Sequence, residues 1–598
     1  MPFRRWPYAC GVLLGQSLVG NALLFKRKAK YSPRGPAAQF LRIPSSSSTY
    51  SCSPMEEALG IKEGHGDRSV LHDLKELDRI LFSGEIGLDS AGVLNRIDSD
   101  HVRDSQACSS ILSESLALDL PSQENEKTPL HRYEWIYADQ QIASMKNPIA
   151  LRTVGSRPIL NITSIARIRS AAEELWGLEN QSKSRFTFQR KGNYEAHLTD
   201  LISFDPAIKT VMDEALPQMI YTMVRAVLEQ SLHQNIDNDL SLCIYDALVI
   251  RYNATEANSH SVGTINHCGA GQPLHRDLGL VSVNIMLNPS EDFDGGGTFF
   301  ENQLLGCIED KPTCITTQKI QPLKPMGPGH AIAHLSSERH AGAGTTAGVR
   351  DILVLFVTAR GGGAHQANPL FFTSQGDNNK AVTPALERCA RLKAASRGQC
   401  QGHENSNAAV CRAFYHRLAI ESVPTDGEAW HYLGMALRDY YYALVDGVSQ
   451  QPLSNIPSHQ FFLKTSVKCL KYASLLTPCD GRLYNNLGLA LEQLSKLYEG
   501  ISCIEKTAKE PLHPRICNSY ETGLYLHYLS EQAGCDVRYD YDSAILNYGL
   551  YLANLDKFKE ASNILAQISG HNFQTDDSGH QRIISDAQQL LQFCKQQQ

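Results

Sequence analysis

Apolar residues follow strand-like patterns at three places in the middle of the chain. The first is the stretch Leu242 to Tyr252, the second is the run Leu278 to Leu287, and the third is Ile352 to Val357. In the second run apolar and polar residues alternate, which is typical of a strand with one buried face. The pattern therefore predicts a β-sheet in the middle of the chain.

Two helices are predicted ahead of these strands. Thr163 or Ser164 caps a first helix that continues through Trp176. Pro206 lies in the first turn of a second, longer helix that continues to about Leu228, because proline is tolerated in the first turn of a helix. We expect both helices to pack against the sheet.

A histidine and a carboxylate separated by one residue, His275 and Asp277, stand just before the alternating run. In a strand, residues i and i+2 point to the same side, so both can reach one ion while Arg276 points away. His340, from a distant strand, completes a set of two histidines and one carboxylate, which is diagnostic of non-haem Fe(II) oxygenases. Arg350, ten residues later, supplies a cation that can hold a co-substrate carboxylate through two hydrogen bonds.

A glycine-rich element lies between the His-x-Asp pair and the distal histidine. Asp294 and the three glycines after it predict a turn, because glycine tolerates positive φ. The order of the His-x-Asp pair, Gly296-Gly297-Thr298 with Phe300, and a histidine followed by an arginine resembles the 2-oxoglutarate- and Fe(II)-dependent dioxygenases, in particular their prolyl-4-hydroxylase-like branch. The resemblance covers roughly residues 160 to 360. It implies a double-stranded β-helix, a fold also described as jelly-roll or cupin-like.

The resemblance also implies roles for individual residues. His275, Asp277 and His340 are expected to bind Fe(II) and to form the catalytic centre. The co-substrate 2-oxoglutarate is expected to bind Arg350 and Tyr252, and ascorbate is a further expected cofactor. The implied reaction hydroxylates a substrate C–H bond, on a peptidyl proline, and releases succinate and CO2.

Two of these assignments have alternatives. Tyr252 matches a family tyrosine near the end of its strand, but the polar loop at residues 254–272 is longer than in the family, so an ordinary strand tyrosine is the alternative. His330 and His334 lie close to the distal ligand. Only His340 has the ten-residue offset to a cation at the start of a strand, so we interpret the other two histidines as structural.

The second half of the chain is helical and weakly repetitive. Pro424 and Pro478 each stand nine residues before a Leu-Gly pair, at Gly434 and Gly488, and a third unit centres on Gly549. All three glycines are followed three residues later by leucine. These units resemble tetratricopeptide repeats (TPR), although the spacings of 54 and 61 residues exceed that family's period of about 34. A generic helical bundle is the alternative.

The N-terminus combines a cationic start with an apolar run. Arg4 and Arg5 precede an apolar segment from Trp6 to Phe25, which Lys26-Arg27-Lys28 follows. This order indicates a signal peptide or signal anchor, and hence the secretory pathway or endoplasmic reticulum with a membrane anchor at the N-terminus. A transit peptide for another organelle and a disordered tail are the alternatives.

These patterns together predict an α+β multidomain protein. The expected division is residues 1–55 as a signal or transit segment, 56–155 as a polar, partly disordered linker, 156–365 as the dioxygenase domain, 366–407 as a second linker and 408–598 as a TPR-like helical repeat domain. One amphipathic helix interrupts the first linker, with leucines at positions 71, 74, 77 and 81 on one face.

Composition excludes some classes of partner and site. The 598-residue chain has a net charge of −7 and no extended basic tract in its body, so a nucleic-acid partner is not indicated. Its sixteen cysteines are scattered without CxxC pairs, which argues against a zinc ribbon. The spacing leaves disulfides open, and Cys307 and Cys314, in a segment with a hairpin pattern, are the candidate pair.

The helical repeats bear on the substrate. Stacked repeats offer a concave surface suited to a protein or peptide, so a macromolecular substrate is expected there. The repeats either present that substrate or support the oxygenase barrel. Two other functions remain open: an oxygenase for a small molecule or another side chain, and a scaffold whose barrel is catalytically silent.

Overall fold

The computed structural model of the chain describes residues 68–81, 132–137, 148–179, 192–212, 223–232, 242–258, 270–277, 279–305, 320–359, 371–372, 385–399, 405–448, 456–505, 512–569 and 578–598. The predicted N-terminal segment 1–55 and the cysteines Cys307 and Cys314 lie outside these ranges. Within them, no helix is both long enough and apolar enough to cross a bilayer.

The described residues form an α+β protein with an antiparallel sheet and a C-terminal helical region. The strands are β1 (Arg132–Tyr137), β2 (Pro148–Val154), β3 (Asn193–His197), β4 (Leu242–Asn253), β5 (Val281–Met286), β6 (Phe293–Gly295), β7 (Thr298–Phe300), β8 (Ala331–Leu335), β9 (His340–Gly342), β10 (Thr345–Ala359) and β11 (Phe371–Phe372). Four of the described helices lie between strands of the sheet, in the part of the chain from residue 132 to residue 372 that is called the sheet half below. They are α2 (Ile162–Glu179), α3 (Leu198–Phe204), α4 (Arg225–Leu232) and α5 (Ala254–Asn258). The other helices are α1 (Arg68–Leu81), α6 (Ala385–Gln399), α7 (Asn405–Ser422), α8 (Gly427–Val448), α9 (Ile456–Leu476), α10 (Gly481–Glu505), α11 (His513–Gln532), α12 (Arg538–Asn554), α13 (Phe558–Ser569) and α14 (Ser578–Gln597).

Nine of these strands form one sheet, whose main path runs β1-β2-β8-β5-β10-β4-β11. The strands β3 and β6 pair with β4 and β10, while β7 and β9 form a separate two-stranded sheet. All of the pairings are antiparallel. The three predicted strands are therefore present as β4, β5 and β10, which are neighbours at the centre of the sheet.

The two faces of the sheet differ in their surroundings because side chains alternate along each strand. In β5, Val281, Val283 and Ile285 lie on the face that shares a buried apolar cluster with α2, α3 and α4. Ser282 and Asn284 are buried on the opposite face. Two polar residues in a fully buried strand need partners, so this inner face is where a site is expected.

The helices that pack on the outer face differ in detail from the predicted ones. The first begins at Ile162, and its cap is Asn161, whose side-chain oxygen accepts from the Ser164 backbone N–H at 2.9 Å. The predicted cap at Thr163 or Ser164 is wrong, since both residues are already inside the helix. Of the second predicted helix, residues 207–212 and Arg225–Leu232 are helical, and residues 213–222 are outside the described ranges.

The helical region is built from successive helices that pack on each other, and its three repeated glycines lie where helices meet. A Cβ atom at Gly434 would lie 2.7 Å from Leu470 Cγ, and one at Gly549 would lie 2.7 Å from Leu565. At Gly488 a Cβ would be 2.9 Å from the Tyr520 ring. Only glycine allows these close approaches, which is the packing reason for the repeated Leu-Gly or Tyr-Gly pairs.

Both halves extend beyond the predicted boundaries. The strands β1 and β2 precede residue 156 yet belong to the sheet, through pairing of β2 with β8. The helix α1, from the predicted first linker, packs on the helical region, with Leu74, Leu77 and Leu81 in its core. Lys468 binds Asp73 of α1 at 2.6 Å. The helix α6, from the predicted second linker, shares the same core.

Candidate metal centre

Two backbone segments bring the predicted metal ligands together on the inner face. His275 and Asp277 lie in an extended segment ahead of β5, and His340 is the first residue of β9. His275 and His340 pair directly, with each backbone N–H donating to the other residue's carbonyl at 2.8 and 2.9 Å. The Asp277 backbone N–H donates to Ser336 O at 3.0 Å. This pairing fixes the spacing of the ligand segments.

The three side chains converge on one point. The Nε2 atoms of His275 and His340 lie 3.3 Å from Oδ1 and Oδ2 of Asp277, respectively. One ligand atom from each residue lies within 4.8 Å of the others, so the group can hold a metal ion. His340 is buried, and the other two are partly buried. The three predicted ligands thus lie together in one group.

Hydrogen bonds orient both imidazoles. Nδ1 of His275 lies 2.8 Å from the carbonyl of Pro273, and Nδ1 of His340 lies 2.9 Å from that of Glu338. A carbonyl can only accept, so Nδ1 carries the proton and Nε2 offers its lone pair to the centre. Metal-binding histidines commonly have this second hydrogen bond, which fixes the tautomer.

The electrostatics of the group favour an ionised carboxylate. Burial by itself would raise the pKa of Asp277, but His340 and His275 hold it well below its usual range. Burial lowers the pKa of His275, but the hydrogen bond to Asp277, the charge of Asp277 and the Pro273 carbonyl together outweigh it, so the net shift is upward. A metal ion would take the place of the proton that Asp277 attracts to His275.

Ser282 is a site residue that the sequence analysis did not name. Its hydroxyl donates to Oδ2 of Asp277 at 2.5 Å and lies 3.0 Å from the Ser336 hydroxyl. The signal in the sequence is that Ser282 and Asn284 are polar residues at alternate positions of an apolar strand. Ser282 orients the carboxylate ligand in the way that the two carbonyls orient the histidines.

The two neighbouring histidines are outside the metal group. His330 Nδ1 lies 3.2 Å from the Thr153 hydroxyl. The ring of His334 is closer, 4.4 Å from that of His340, and its Nδ1 lies 2.9 Å from the Leu335 carbonyl. Burial lowers the pKa of His334 to about 3, so its imidazole is neutral. Its Nε2 makes no hydrogen bond to any described residue.

Arg350 and Tyr252 lie side by side at the other end of the inner face. They are direct partners in the register of β10 and β4, and the guanidinium carbon of Arg350 lies 5.3 Å from the centre of the Tyr252 ring. Both are buried, at 2% and 1% exposure. Burial lowers the pKa of Arg350 and raises that of Tyr252 to about 12, so the pair is a cation beside a neutral phenol. The structure thus brings the two predicted co-substrate residues together.

The glycine turn packs against the stem of this arginine. Gly295, Gly296 and Gly297 all have positive φ, at 71°, 67° and 116°. A Cβ atom at Gly296 would lie 2.9 Å from Cδ of Arg350, and the Gly297 carbonyl accepts from Arg350 Nη1 at 3.3 Å. The turn is therefore part of the wall around Arg350.

Comparisons with known proteins add little to this geometry. No family model matches the chain, and no curated protein matches its sequence. Among solved structures, the crystal structure of AviO1 from Streptomyces viridochromogenes Tue57 aligns with 34% of this chain and 86% of its own length, at 13% identity and a TM-score of 0.21. At that TM-score the similarity assigns neither a family nor a fold to the chain.

Proposed function

We propose that this chain is an Fe(II)- and 2-oxoglutarate-dependent dioxygenase of the prolyl-4-hydroxylase-like type. The observation that carries the proposal is the convergence of His275, Asp277 and His340, with both Nε2 atoms directed at one carboxylate and both Nδ1 atoms bound to carbonyls. Two histidines and one carboxylate leave coordination positions open for a co-substrate, which favours non-haem iron over a closed structural site. Nitrogen and oxygen donors of this kind fit Fe(II).

The proposal for 2-oxoglutarate rests on a contrast between two arginines on paired strands, the partly buried Arg251 and the buried Arg350. Arg251 points to the outer face and binds two carboxylates, those of Asp351 at 2.8 Å and Glu173 at 2.6 Å. Arg350 points to the inner face, and no carboxylate of the described residues pairs with it. A buried guanidinium is costly without an anion, so Arg350 suits the distal carboxylate of a dicarboxylic acid.

Each residue of the site would have a role that follows from its position. Asp277, His275 and His340 hold the metal, and Arg350 sets the orientation of the co-substrate. Apolar inner-face residues around Tyr252, among them Ile250, Ile352 and Val354, exclude water and so strengthen the ion pair with Arg350. The chemistry that such a metal centre supplies is oxidation of a C–H bond by O2, coupled to conversion of 2-oxoglutarate into succinate and CO2.

Several finer assignments belong to this proposal. The sheet would be one layer of a double-stranded β-helix, with the β7–β9 pair as part of the other layer, and the glycine-centred helix pairs would be TPR-like repeats. The repeats favour a protein or peptide substrate, with a peptidyl proline as the target, over a small molecule. Ascorbate is proposed as the reductant that keeps the iron as Fe(II).

An iron-dependent succinate assay tests the proposal. We expect the full chain to form succinate from 2-oxoglutarate only with Fe(II) and O2, and a panel of proline-containing peptides to increase the rate more than small molecules do. The same assay with Asp277→Asn should give no succinate. Wild-type chain that binds Fe(II) but forms no succinate with any substrate class would support a silent scaffold and overturn the proposal.

A further inference from the structure

The residues next to the metal ligands are bound to the helical region. Arg276 lies between His275 and Asp277, and Arg339 immediately precedes His340. Because side chains alternate along an extended segment, both arginines point away from the metal centre. Their guanidinium groups meet carboxylates that come from, or lie against, the helical region.

Arg276 joins the two ligand segments on their outer side. Its Nε donates to the Ser337 carbonyl at 2.8 Å, and its Nη1 binds Glu428 Oε1 at 2.9 Å. Glu428 is in the first turn of α8, and its second oxygen binds Lys393 of α6 at 3.0 Å. The carboxylate is thus held between the sheet half and two helices.

Arg339 is more deeply buried, with a side-chain exposure of 3%. Its Nη1 binds Glu301 and, at 3.2 Å, Oδ1 of Asp480, while its Nη2 lies 3.5 Å from Asp540 Oδ2. Asp480 in turn accepts two hydrogen bonds from the Arg482 guanidinium. One arginine of the metal segment therefore bridges the turn before α10 and the first turn of α12.

A repeated sequence motif explains why aspartates occur at the starts of two of these helices. The sequence Pro-x-Asp-Gly occurs at residues 424–427 and again at 478–481, 54 residues later, each time just before a helix. The aspartates cap these helices, with Asp426 accepting from the Ala429 N–H at 2.7 Å and Asp480 from the Arg482 N–H at 3.1 Å. Acidic residues thus gather at the starts of α8, α10 and α12, where the sheet half docks.

Apolar and backbone contacts surround the ion pairs. Phe299 and Ala341, from the β7–β9 pair, share a buried cluster with Leu526 and Val537 of the helical region. The Gly344 backbone N–H, just after β9, donates to the Gly534 carbonyl at 3.0 Å. Buried ion pairs enclosed in an apolar contact make a specific, rigid junction.

We propose that the helical region is a working part of the metal centre, and that Arg276 and Arg339 are positioning residues through which Glu428 and Asp480 hold the ligand segments in register. This inference rests on the metal site of the proposed function. The helical region then determines metal affinity, in addition to any role in substrate binding.

The test is a titration of the full chain with Co(II) alone, an oxygen-stable probe for the iron site, below the melting temperature of every variant. Glu428→Gln should weaken Co(II) binding by about 10-fold, the lower end of the loss seen when a group bonded to a metal ligand is removed, because Glu428 acts one residue further away, through Arg276. Asp78→Asn is the matched control, because Asp78 also binds an arginine of the helical region, Arg417 at 2.6 Å, but on the side of α1. Its Co(II) affinity should equal that of the wild type.

A double-mutant cycle shows whether the effect passes through Arg276. Arg276→Met should weaken Co(II) binding as much as Glu428→Gln does, and the double variant should be no worse than either. Equal Co(II) affinity in Glu428→Gln, Asp78→Asn and wild type would overturn the inference while leaving the proposed function standing. If Glu428→Gln weakens Co(II) binding as expected but the wild-type chain forms no succinate, the inference is supported and only the oxygenase activity is overturned.

Discussion

The two ends of the candidate site are built in different ways. At the metal end, the ligands lie in short segments in which the residues next to them, Arg276 and Arg339, bind carboxylates of the helical region. At the other end, Arg350 and Tyr252 lie in β10 and β4, long strands at the centre of the sheet, where no described carboxylate pairs with Arg350. The first end depends on contacts between the two halves, and the second depends on the sheet alone.

This difference predicts that 2-oxoglutarate affinity can be lowered without changing metal affinity, and that metal affinity can be lowered without moving Arg350. A substitution in the helical region should reach the metal ligands without moving Arg350. A substitution at Arg350 should leave the ligand segments in place, because their pairing is made by their own backbone. Variants at each end therefore test whether the two ends are independent.

The largest expected effect is at the carboxylate ligand. Asp277→Asn removes the only anionic ligand of the described metal group, so Co(II) and Fe(II) binding should fall below detection and succinate formation should cease. Asp205→Asn, at an exposed pair with Arg167, is the control and should behave as wild type. Full metal occupancy in Asp277→Asn, measured by metal analysis after dialysis, would contradict the assignment.

The next largest effect concerns the co-substrate end alone. Removing one partner of a buried ion pair costs roughly 3–5 kcal/mol, so Arg350→Ala should weaken 2-oxoglutarate binding at least about 100-fold. Co(II) affinity should not change. The affinity of Arg350→Lys for 2-oxoglutarate should lie between those of the wild type and Arg350→Ala, since lysine keeps the charge but loses the two parallel hydrogen bonds.

Arg251→Met is the control for this pair of variants. It removes a guanidinium from the neighbouring register position on the outer face, and it should lower the melting temperature without changing 2-oxoglutarate affinity. If Arg251→Met weakens 2-oxoglutarate binding as much as Arg350→Ala does, the loss of affinity comes from destabilisation of the sheet and not from removal of a direct ion pair.

A smaller effect is expected at Ser282, which binds Asp277 from within the sheet. Ser282→Ala should weaken Co(II) binding by about 10-fold or less, because it removes a hydrogen bond that orients a ligand but no ligand. The Co(II) spectrum should keep the wild-type coordination number. Unchanged affinity would mean that backbone pairing alone orients the carboxylate.

The smallest effect is a pH dependence at the junction. Burial raises the pKa of Glu301 from its ordinary 4.5 to about 8, with Asp480 adding to the shift and Arg339, Arg482 and Arg276 opposing it. The folded state therefore holds this proton more tightly than the unfolded state does. Its stabilising effect is complete below pH 4.5 and is lost as the pH rises through about 8.

Glu301→Gln should remove this dependence, because the amide keeps the shape of the protonated acid. We expect the melting temperature of the wild type to fall more than that of Glu301→Gln between about pH 5 and pH 9. Parallel curves for the two proteins would show that Glu301 stays ionised beside Arg339.

The metal end shows how far sequence reasoning reaches. His275 and Asp277 could be chosen from local spacing, because alternation along an extended segment needs no knowledge of the rest of the fold. His340 was chosen by its ten-residue offset to Arg350, as the family resemblance implies. The same alternation showed that Arg276 points away from the ion. Its partner, Glu428, could not be predicted, since their contact depends on how two separately patterned regions dock.

Other details were missed for different physical reasons. Asparagine, serine and threonine cap helices about equally well, so the sequence could not choose Asn161 over Thr163 or Ser164. The closeness of Tyr252 to Arg350 follows from the register of β4 and β10, which the polar loop after Tyr252 obscured. The helix α1 was recognised from its leucines, but an apolar face does not tell which surface covers it.

Calorimetric titration of 2-oxoglutarate into the full chain, anaerobically and with and without Fe(II), tests the central claim most directly. We predict that 2-oxoglutarate binds the wild type only when the metal is present. Binding should disappear in Asp277→Asn because no metal is held. It should also be lost in Arg350→Ala, although Fe(II) remains bound. Equal 2-oxoglutarate binding with and without Fe(II), or no binding to the iron-loaded wild type, would contradict the account.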